Sequence, residues 1–319
     1  MRIGIIGPGA LGCLFAARLY LTVNEQDQIL LIDHRAQRAA ELNKQGILYE
    51  SETGTERCPI VVSSSPESVG RLDALLSCVK SHTLEQSLQF AAPLLSPSTL
   101  LLFLQNGIGH LKYGEQKRLP AVIAYATSSE GATCLAPGHI LHAGKGHTTL
   151  GFLSPGDRGE DEQLGKLCTT LQNANLDSSV SGDIRTRLWA KLFVNVGINA
   201  LTAIYNRTNG QLLTSCAARS RIKTLVREAE KVALALRIPI EEDPVTATLR
   251  VCKKTGRNIS SMLQDIRNLR ATEIDAINGE ISRLGRETGI ATPYNDEAIA
   301  QVKKLEDRYL VSRSDTNEN

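Results

Sequence analysis

The chain opens on Arg2 to Ile6, a short β-branched run, followed by a turn from Gly7 to Gly12 and by Ala10 to Leu21 with apolar residues at helical spacing. A second strand is predicted over Gln28 to Ile32, then a helix over Ala36 to Gln45 stopped by Gly46. Further strands are expected at Ile47 to Glu50, Ile60 to Ser63, Ala74 to Val79 and Thr99 to Leu104, with a helix over Thr83 to Leu95. Alternating helices and buried-type strands build a parallel, doubly wound sheet covered on both faces. Short strands separated by glycines, around Ala121 to Ser129, Ile140 to His142 and Thr148 to Phe152, suggest an antiparallel extension that closes the first domain.

After the Ser154-Pro155-Gly156-Asp157 turn the period becomes almost wholly helical. The predicted helices are Asp161 to Gln172, Ile184 to Tyr205, Cys216 to Leu236, Pro244 to Lys254, Met262 to Arg270, Thr272 to Thr288 and Asp296 to Leu310. The fold class read from this pattern is α/β, with an N-terminal domain over residues 1–180 and an all-helical C-terminal domain over 181–319. Two domains also suit 319 residues, because single cores stop growing at roughly 250 to 300. Ser312 to Asn319 is polar and reads as a frayed tail.

Composition narrows the class of partner. With 42% hydrophobic and 22% charged residues the chain is an ordinary globular one, which excludes disordered, collagen-like and disulfide-scaffold readings. A net charge of +2 falls far short of the concentrated positive charge that phosphate-backbone binding needs, so nucleic acid is not expected as a partner. The seven cysteines, at 13, 58, 78, 134, 168, 216 and 252, form no CxxC pair and no cluster with His, and read as free thiols in a reducing compartment with no metal site. Met1-Arg2 leads straight into the first strand without an export signal. The longest apolar stretches, such as Leu100 to Leu104 and Leu192 to Ile198, are far below the ~20 residues that cross a bilayer. No membrane partner and a cytoplasmic location are expected.

Gly7-Pro8-Gly9-Ala10-Leu11-Gly12 fits GxGxxG, placed between a first strand and a helix, where a dinucleotide-binding (Rossmann-type) domain needs it. In that reading the first glycine makes the turn, the second admits a pyrophosphate to the backbone N–H groups, and the third lets helix and sheet pack closely. A tight turn chosen for packing alone is the plainer alternative. Asp33 ends the second strand about 20 residues beyond the last glycine, where a carboxylate takes the adenosine ribose hydroxyls of NAD(H). Arg35 and Arg38 follow, and guanidinium groups suit the 2′-phosphate of NADP(H), unless they are simply solvated charges. A carboxylate ~4 Å from a phosphate is repelled by about 4 kcal/mol per unit charge pair at an effective dielectric near 20. With NADP(H), Asp33 must therefore point away or be held by an arginine.

Within the otherwise apolar segment from Leu188 to Ile204, Lys191, Asn195, Asn199 and Thr202 fall at i, i+4, i+8 and i+11, in line on one helical face. Either the stripe is the solvent edge of the helix or it meets polar partners or a cleft, because a buried row of Lys and amides is otherwise costly. Ser261 to Gln264 reads as a capping box; the Ser261 hydroxyl is then a helix cap, or with the helix N–H groups it holds a substrate carboxylate. Glu273 opens the next helix beside its buried stripe, a favourable place for negative charge in any event. Asn106 lies at the carboxyl end of an apolar strand, where doubly wound sheets bind ligands, and Lys80 holds the same place one strand earlier; a turn former and an exposed charge are the plain alternatives. Cys216 to Leu236 suits either the core or a homodimer surface.

Taken together, GPGALG at the start, VKSHTLEQ from Val79, LQNGIG from Leu104, GHILHAGKG from Gly138, RLWAKLFVNVGINALTAI from Arg187 and SSMLQDIRNLRATEIDAING from Ser260 resemble the ketopantoate reductase (2-dehydropantoate 2-reductase) family over nearly the whole chain. The resemblance implies reduction of ketopantoate to pantoate by NADPH in pantothenate biosynthesis, with a small 2-oxo acid as substrate. It implies that Lys191 is the catalytic lysine and Glu273 the catalytic-site carboxylate. Asn195, Asn199, Ser261 and Asn106 become contacts to substrate or nicotinamide, and Lys80 a cofactor contact. Asp33 departs from the family's NADPH preference and leaves NAD(H) open. A reductase of another 2-oxo acid on the same fold remains a competing reading. So does a non-catalytic dinucleotide sensor, which would have no need of Lys191 and Glu273.

Overall fold

The computed structural model describes residues 1–22, 27–111 and 119–316, with backbone only from 308. The chain forms two compact units: residues 1–105 with 110–184, and residues 106–109 with 185 onward.

The first unit is built on an eight-stranded sheet. Its parallel part comprises β1 (Arg2–Ile6), β2 (Gln28–Ile32), β5 (Val61–Ser63), β6 (Ala74–Ser77), β7 (Leu100–Phe103) and β8 (Val122–Ser128), arranged β5-β2-β1-β6-β7-β8. β11 (Thr148–Gly151) then runs antiparallel to β8, and β12 (Ser178–Val180) lies parallel to β11. β6 and β7 are buried at every position, which is why they read as unbroken apolar runs. In this order the strand sequence reverses direction between β1 and β6, the switch point at whose carboxyl side such sheets bind ligands. Among the described residues the unit also carries helices α1 (Ala10–Tyr20), α2 (Ala36–Gln45), α3 (Pro66–Val69), α4 (Leu84–Ala91) and α5 (Arg158–Asn173), α5 starting on an Asp157–Glu160 capping box.

Two expectations about this half are corrected. Of the three strands expected as an antiparallel extension, β11 is one but β8 runs parallel to β7. Ile47–Ser51 (β3) does not join the parallel sheet, and β10 (His139–Gly144), with β9 (Gly131–Ala136) beside it, does not extend it. With β4 (Gly54–Cys58) they form a second sheet in the order β4-β3-β10-β9, in which β3 and β10 are parallel and the other pairs antiparallel. The physical reason is visible in β3, whose Ile47 and Tyr49 are buried while Leu48 and Glu50 are half-buried, the alternation of a strand covered on one face only. That face packs on α1, where the Arg18 guanidinium lies 5.8 Å from the centre of the Tyr49 ring.

The second unit is helical: α6 (Ile184–Tyr205), which begins at the boundary, α7 (Asn209–Leu212), α8 (Cys216–Ala235), α9 (Pro244–Lys254), α10 (Ser261–Arg267), α11 (Ile274–Thr288) and α12 (Pro293–Thr316). The frayed tail expected from Ser312 is not found over Ser312–Thr316, where the backbone is helical, and the rest of that expectation, residues 317–319, lies outside the described residues. By length and composition α6 is long and apolar enough to cross a membrane, a property that the longest apolar stretches do not reveal, and 67% of its most apolar window is buried in the structure, the setting of a core helix. Gly197 sets how closely its neighbours approach, for a Cβ there would stand 2.8 Å from both Val226 Cγ2 on α8 and Thr248 Cγ2 on α9.

A buried polar knot ties four of these helices. Glu228 on α8, 6% exposed, accepts hydrogen bonds from Tyr294 N (3.0 Å), Asn295 N (3.0 Å) and Asn295 Nδ2 (2.7 Å) at the start of α12. Asn278 Nδ2 on α11 donates to Asn295 Oδ1 (2.9 Å) and to the Val196 carbonyl of α6 (3.3 Å). The Glu228 carboxylate thus satisfies backbone donors that a helix start leaves open. Glu228→Ala is expected to cost about 3 kcal/mol, measured as a lower denaturant midpoint at unchanged m-value, because buried donors lose their acceptor.

Candidate active site

The glycine loop closes the carboxyl end of β1. Gly7 has φ +97°, and a Cβ on it would stand 2.7 Å from Val79 Cγ1 and 2.9 Å from Val79 N. A Cβ on Gly12 would overlap the Gly7 carbonyl oxygen. Packing within the chain therefore accounts for both. Gly9 is different: it is exposed, its φ is −85°, and a Cβ there would meet nothing within 4 Å. It caps α1 without any side-chain hydrogen bond, which leaves the first N–H groups of an eleven-residue helix open toward that space. The arrangement fits a pyrophosphate. Gly9→Ala is expected to leave the melting temperature unchanged and weaken binding of a nicotinamide dinucleotide about tenfold by titration, because only a ligand needs the space. Gly12→Ala is expected to lower stability itself by about 2 kcal/mol.

At the end of β2, Asp33 is fully buried in its side chain and engaged on both oxygens. Arg38 forks onto it, Nε donating to Oδ2 and Nη2 to Oδ1 (2.7 Å), while Arg35 N donates to Oδ1 at 3.1 Å. The ion pair pushes the Arg38 guanidinium above its usual range, mainly through that hydrogen bond. Arg35 is exposed. Lys80, half-buried, follows β6, and its carbonyl accepts from Thr83 N and Thr83 Oγ1, both at 3.0 Å.

The helical unit carries the other group of candidates. On α6, Lys191 and Asn195 are half-buried, Asn199 is buried, and Thr202 is wholly enclosed. Burial lowers the Lys191 ammonium from 10.5 to about 8, and the Glu273 carboxylate acts in the opposite direction, holding the charge on. Glu273 stands at the N-cap of α11, where its Oε2 accepts from Asn106 Nδ2 at 2.9 Å. Asn106 is held there by the next residue: Gly107 has φ +80°, and any Cβ would overlap the Ala276 carbonyl of α11. Lys191, Glu273 and Asn106, distant in sequence, thus belong to one local arrangement. The stripe is not a solvent edge, because its last two members turn inward.

Ser261 is not the helix cap that its sequence context predicts. Ser260 takes that place, its Oγ accepting from Leu263 N at 3.1 Å, while Ser261 is exposed at the first helical position and Gln264 Nε2 donates to the Ile259 carbonyl instead of closing a box. Two consecutive serines make the register ambiguous from sequence; what selects Ser260 is the Thr202 hydroxyl, 2.6 Å from its Oγ. Thr202 Oγ1 also donates to the Asn199 carbonyl at 2.8 Å, so the cap of α10 is fastened to the striped face of α6. Among the described residues no three His, Cys, Asp or Glu side chains stand together as a metal site.

A glycine loop at the switch point of a doubly wound sheet, followed in the same chain by a helical unit with a half-buried lysine, defines a dinucleotide-dependent oxidoreductase. The family description "Ketopantoate reductase PanE/ApbA" matches residues 3–155, and "Ketopantoate reductase PanE/ApbA C terminal" matches residues 183–306. The chain is 31% identical over 312 residues to 2-dehydropantoate 2-reductase of Vibrio cholerae, covering 96% of this chain and 98% of that one. The crystal structure of a PanE/ApbA family ketopantoate reductase from Ralstonia eutropha superposes with a TM-score of 0.87 at 29% identity, covering 97% of this chain and 100% of that chain. The ternary structure of D-mandelate dehydrogenase with NADH and anilino(oxo)acetate gives 0.88 at 29% identity, covering 97% and 99%. The chain belongs to the ketopantoate reductase family.

Proposed function

We infer that the protein reduces 2-dehydropantoate to pantoate with NADPH, in pantothenate biosynthesis, and that it works in the cytoplasm, as its seven free cysteines suit. The observation that carries this reading is the Lys191–Glu273 coupling, with Asn106 donating to the same carboxylate, in a chain of this family. Residues 1–180 without Asn106–Gly109 serve as the dinucleotide-binding domain, and 181–319 together with Asn106–Gly109 as the substrate domain. When bound, the nicotinamide cofactor supplies the hydride. Gly7, Pro8, Gly9, Ala10, Leu11 and Gly12 seat the pyrophosphate, with Lys80 and Arg35 as further cofactor contacts. The Lys191 ammonium hydrogen-bonds the C2 carbonyl oxygen, stabilises negative charge there, and passes it a proton from Nζ. A value of about 8 leaves that proton in place at neutral pH and makes it easier to give up than an ordinary lysine's. Glu273 keeps the ammonium charged, while Asn106, Asn195, Asn199 and Ser261 orient the substrate. The engagement of Asp33 by Arg38 supports NADPH over NADH, because the carboxylate is not on offer to a ribose diol.

Loss of 340 nm absorbance from NADPH on adding ketopantoate is the expected result. NADPH binding without turnover of any 2-oxo acid would replace the reading with a sensor. The likeness to D-mandelate dehydrogenase favours a second reading, a different 2-oxo acid as substrate. A higher kcat/KM for benzoylformate than for ketopantoate in the same assay would select it.

A further inference from the structure

The Asp33–Arg38 pair does more than stabilise the end of β2. Both Asp33 oxygens are shielded from solvent and accept three hydrogen bonds, two from Arg38 and one from Arg35 N, with His34 Nδ1 3.8 Å from Oδ1. In this state the carboxylate cannot take the vicinal hydroxyls of a ribose. Arg38 meets it edge-on through Nε and Nη2, which leaves both N–H groups of Nη1 turned away from the carboxylate, on a side chain 30% exposed. The pair is neutral as a whole, so the repulsion that Asp33 would exert on a 2′-phosphate is cancelled and the exposed Arg35 adds net positive charge. Taking Arg38 away would return a negative charge to the same spot, with Oδ2 wholly freed as an acceptor and Oδ1 keeping only the hydrogen bond from Arg35 N, the pattern that selects an unphosphorylated ribose.

We propose that Arg38 is the residue that sets the cofactor preference, acting as a positioning residue through Asp33: paired, the site takes the 2′-phosphate of NADPH; unpaired, it takes the ribose diol of NADH. The direction of the preference rests on NADPH being the cofactor as inferred above, whereas the dependence on Arg38 does not. The test is calorimetric titration of the full-length protein with NADPH and with NADH, without substrate, alongside thermal melts. Arg38→Ala is expected to weaken NADPH and to raise the Kd ratio NADPH/NADH by roughly 10²-fold, the order of an unscreened unit charge at a partly exposed site. Asp33→Asn is expected to move that ratio the opposite way, because it keeps the side-chain shape and frees the guanidinium. Opposite shifts in the two variants support the proposal. Equal weakening of both cofactors, as a merely structural pair would give, or no change in the ratio, overturns it. If Arg38→Ala fails to fold once its buried partner is left alone, Asp33→Asn decides, and a shift toward NADH there overturns the proposal. A wild-type protein that binds NADH more tightly would refute the NADPH assignment and leave the opposite shifts still required.

Discussion

Lys191→Ala is expected to lower kcat for ketopantoate reduction by at least ~10²-fold, the low end for losing a positioned proton donor that also stabilises an oxyanion. KM should move far less, since the interaction lost grows as charge develops on the carbonyl oxygen. The variant should fold well. Because burial lowers the Lys191 value from 10.5 to about 8, the native state holds that proton less tightly than the unfolded chain does. The lysine therefore costs stability in full below about pH 8, and the cost fades between there and 10.5. A melting temperature at pH 7 no lower than wild type, with activity gone, separates chemistry from collapse. Near-normal turnover would remove the lysine from the mechanism.

Glu273→Gln should have the second largest effect, and its signature is a displaced pH profile. In the wild type, reduction is expected to hold up to about pH 8 and then fall roughly tenfold per pH unit as Nζ loses its proton, while oxidation of pantoate, which needs the neutral amine, rises over the same range. Glu273 is the group that opposes the lowering, so replacing it by a neutral amide takes the alkaline limb of reduction to lower pH. A fall in kcat of about tenfold or more at pH 7 is expected to accompany the shift, since Lys191 is then partly deprotonated and Asn106 loses its charged acceptor. An unmoved limb would show that the carboxylate does not act on the lysine.

What the sequence made legible follows the physics of each signal. β1, α1, β2 and α2 are marked by apolar runs, a glycine turn and a helix stop, and they lie within a residue of expectation. β4, with the sequence GTERC, is exposed at four of its five positions, and a polar edge strand has no buried face to betray it. The second sheet could be placed only by noticing that β3 alternates where its parallel neighbours do not. At the candidate site, the helical spacing of Lys191, Asn195, Asn199 and Thr202 was plain, because it is local to one helix. Ser260 was hidden behind Ser261, and the choice between them depends on a hydroxyl 58 residues away. The charges of Asp33, Arg35 and Arg38 were equally plain, yet only the side-chain directions distinguish the arginine that binds the carboxylate from the one left exposed.

Asn106–Gly109 belongs with the helical unit although a long stretch of the first unit, His110–Ile184, follows it in the chain. A truncated polypeptide starting at residue 185 would therefore lack the amide that donates to Glu273 and would bare the Ala276 carbonyl that Gly107 covers. Splitting the gene at that boundary should yield halves that regain turnover only when mixed, and a synthetic peptide carrying Gln105 to Gly109 is the natural first supplement to try with the carboxyl-terminal half.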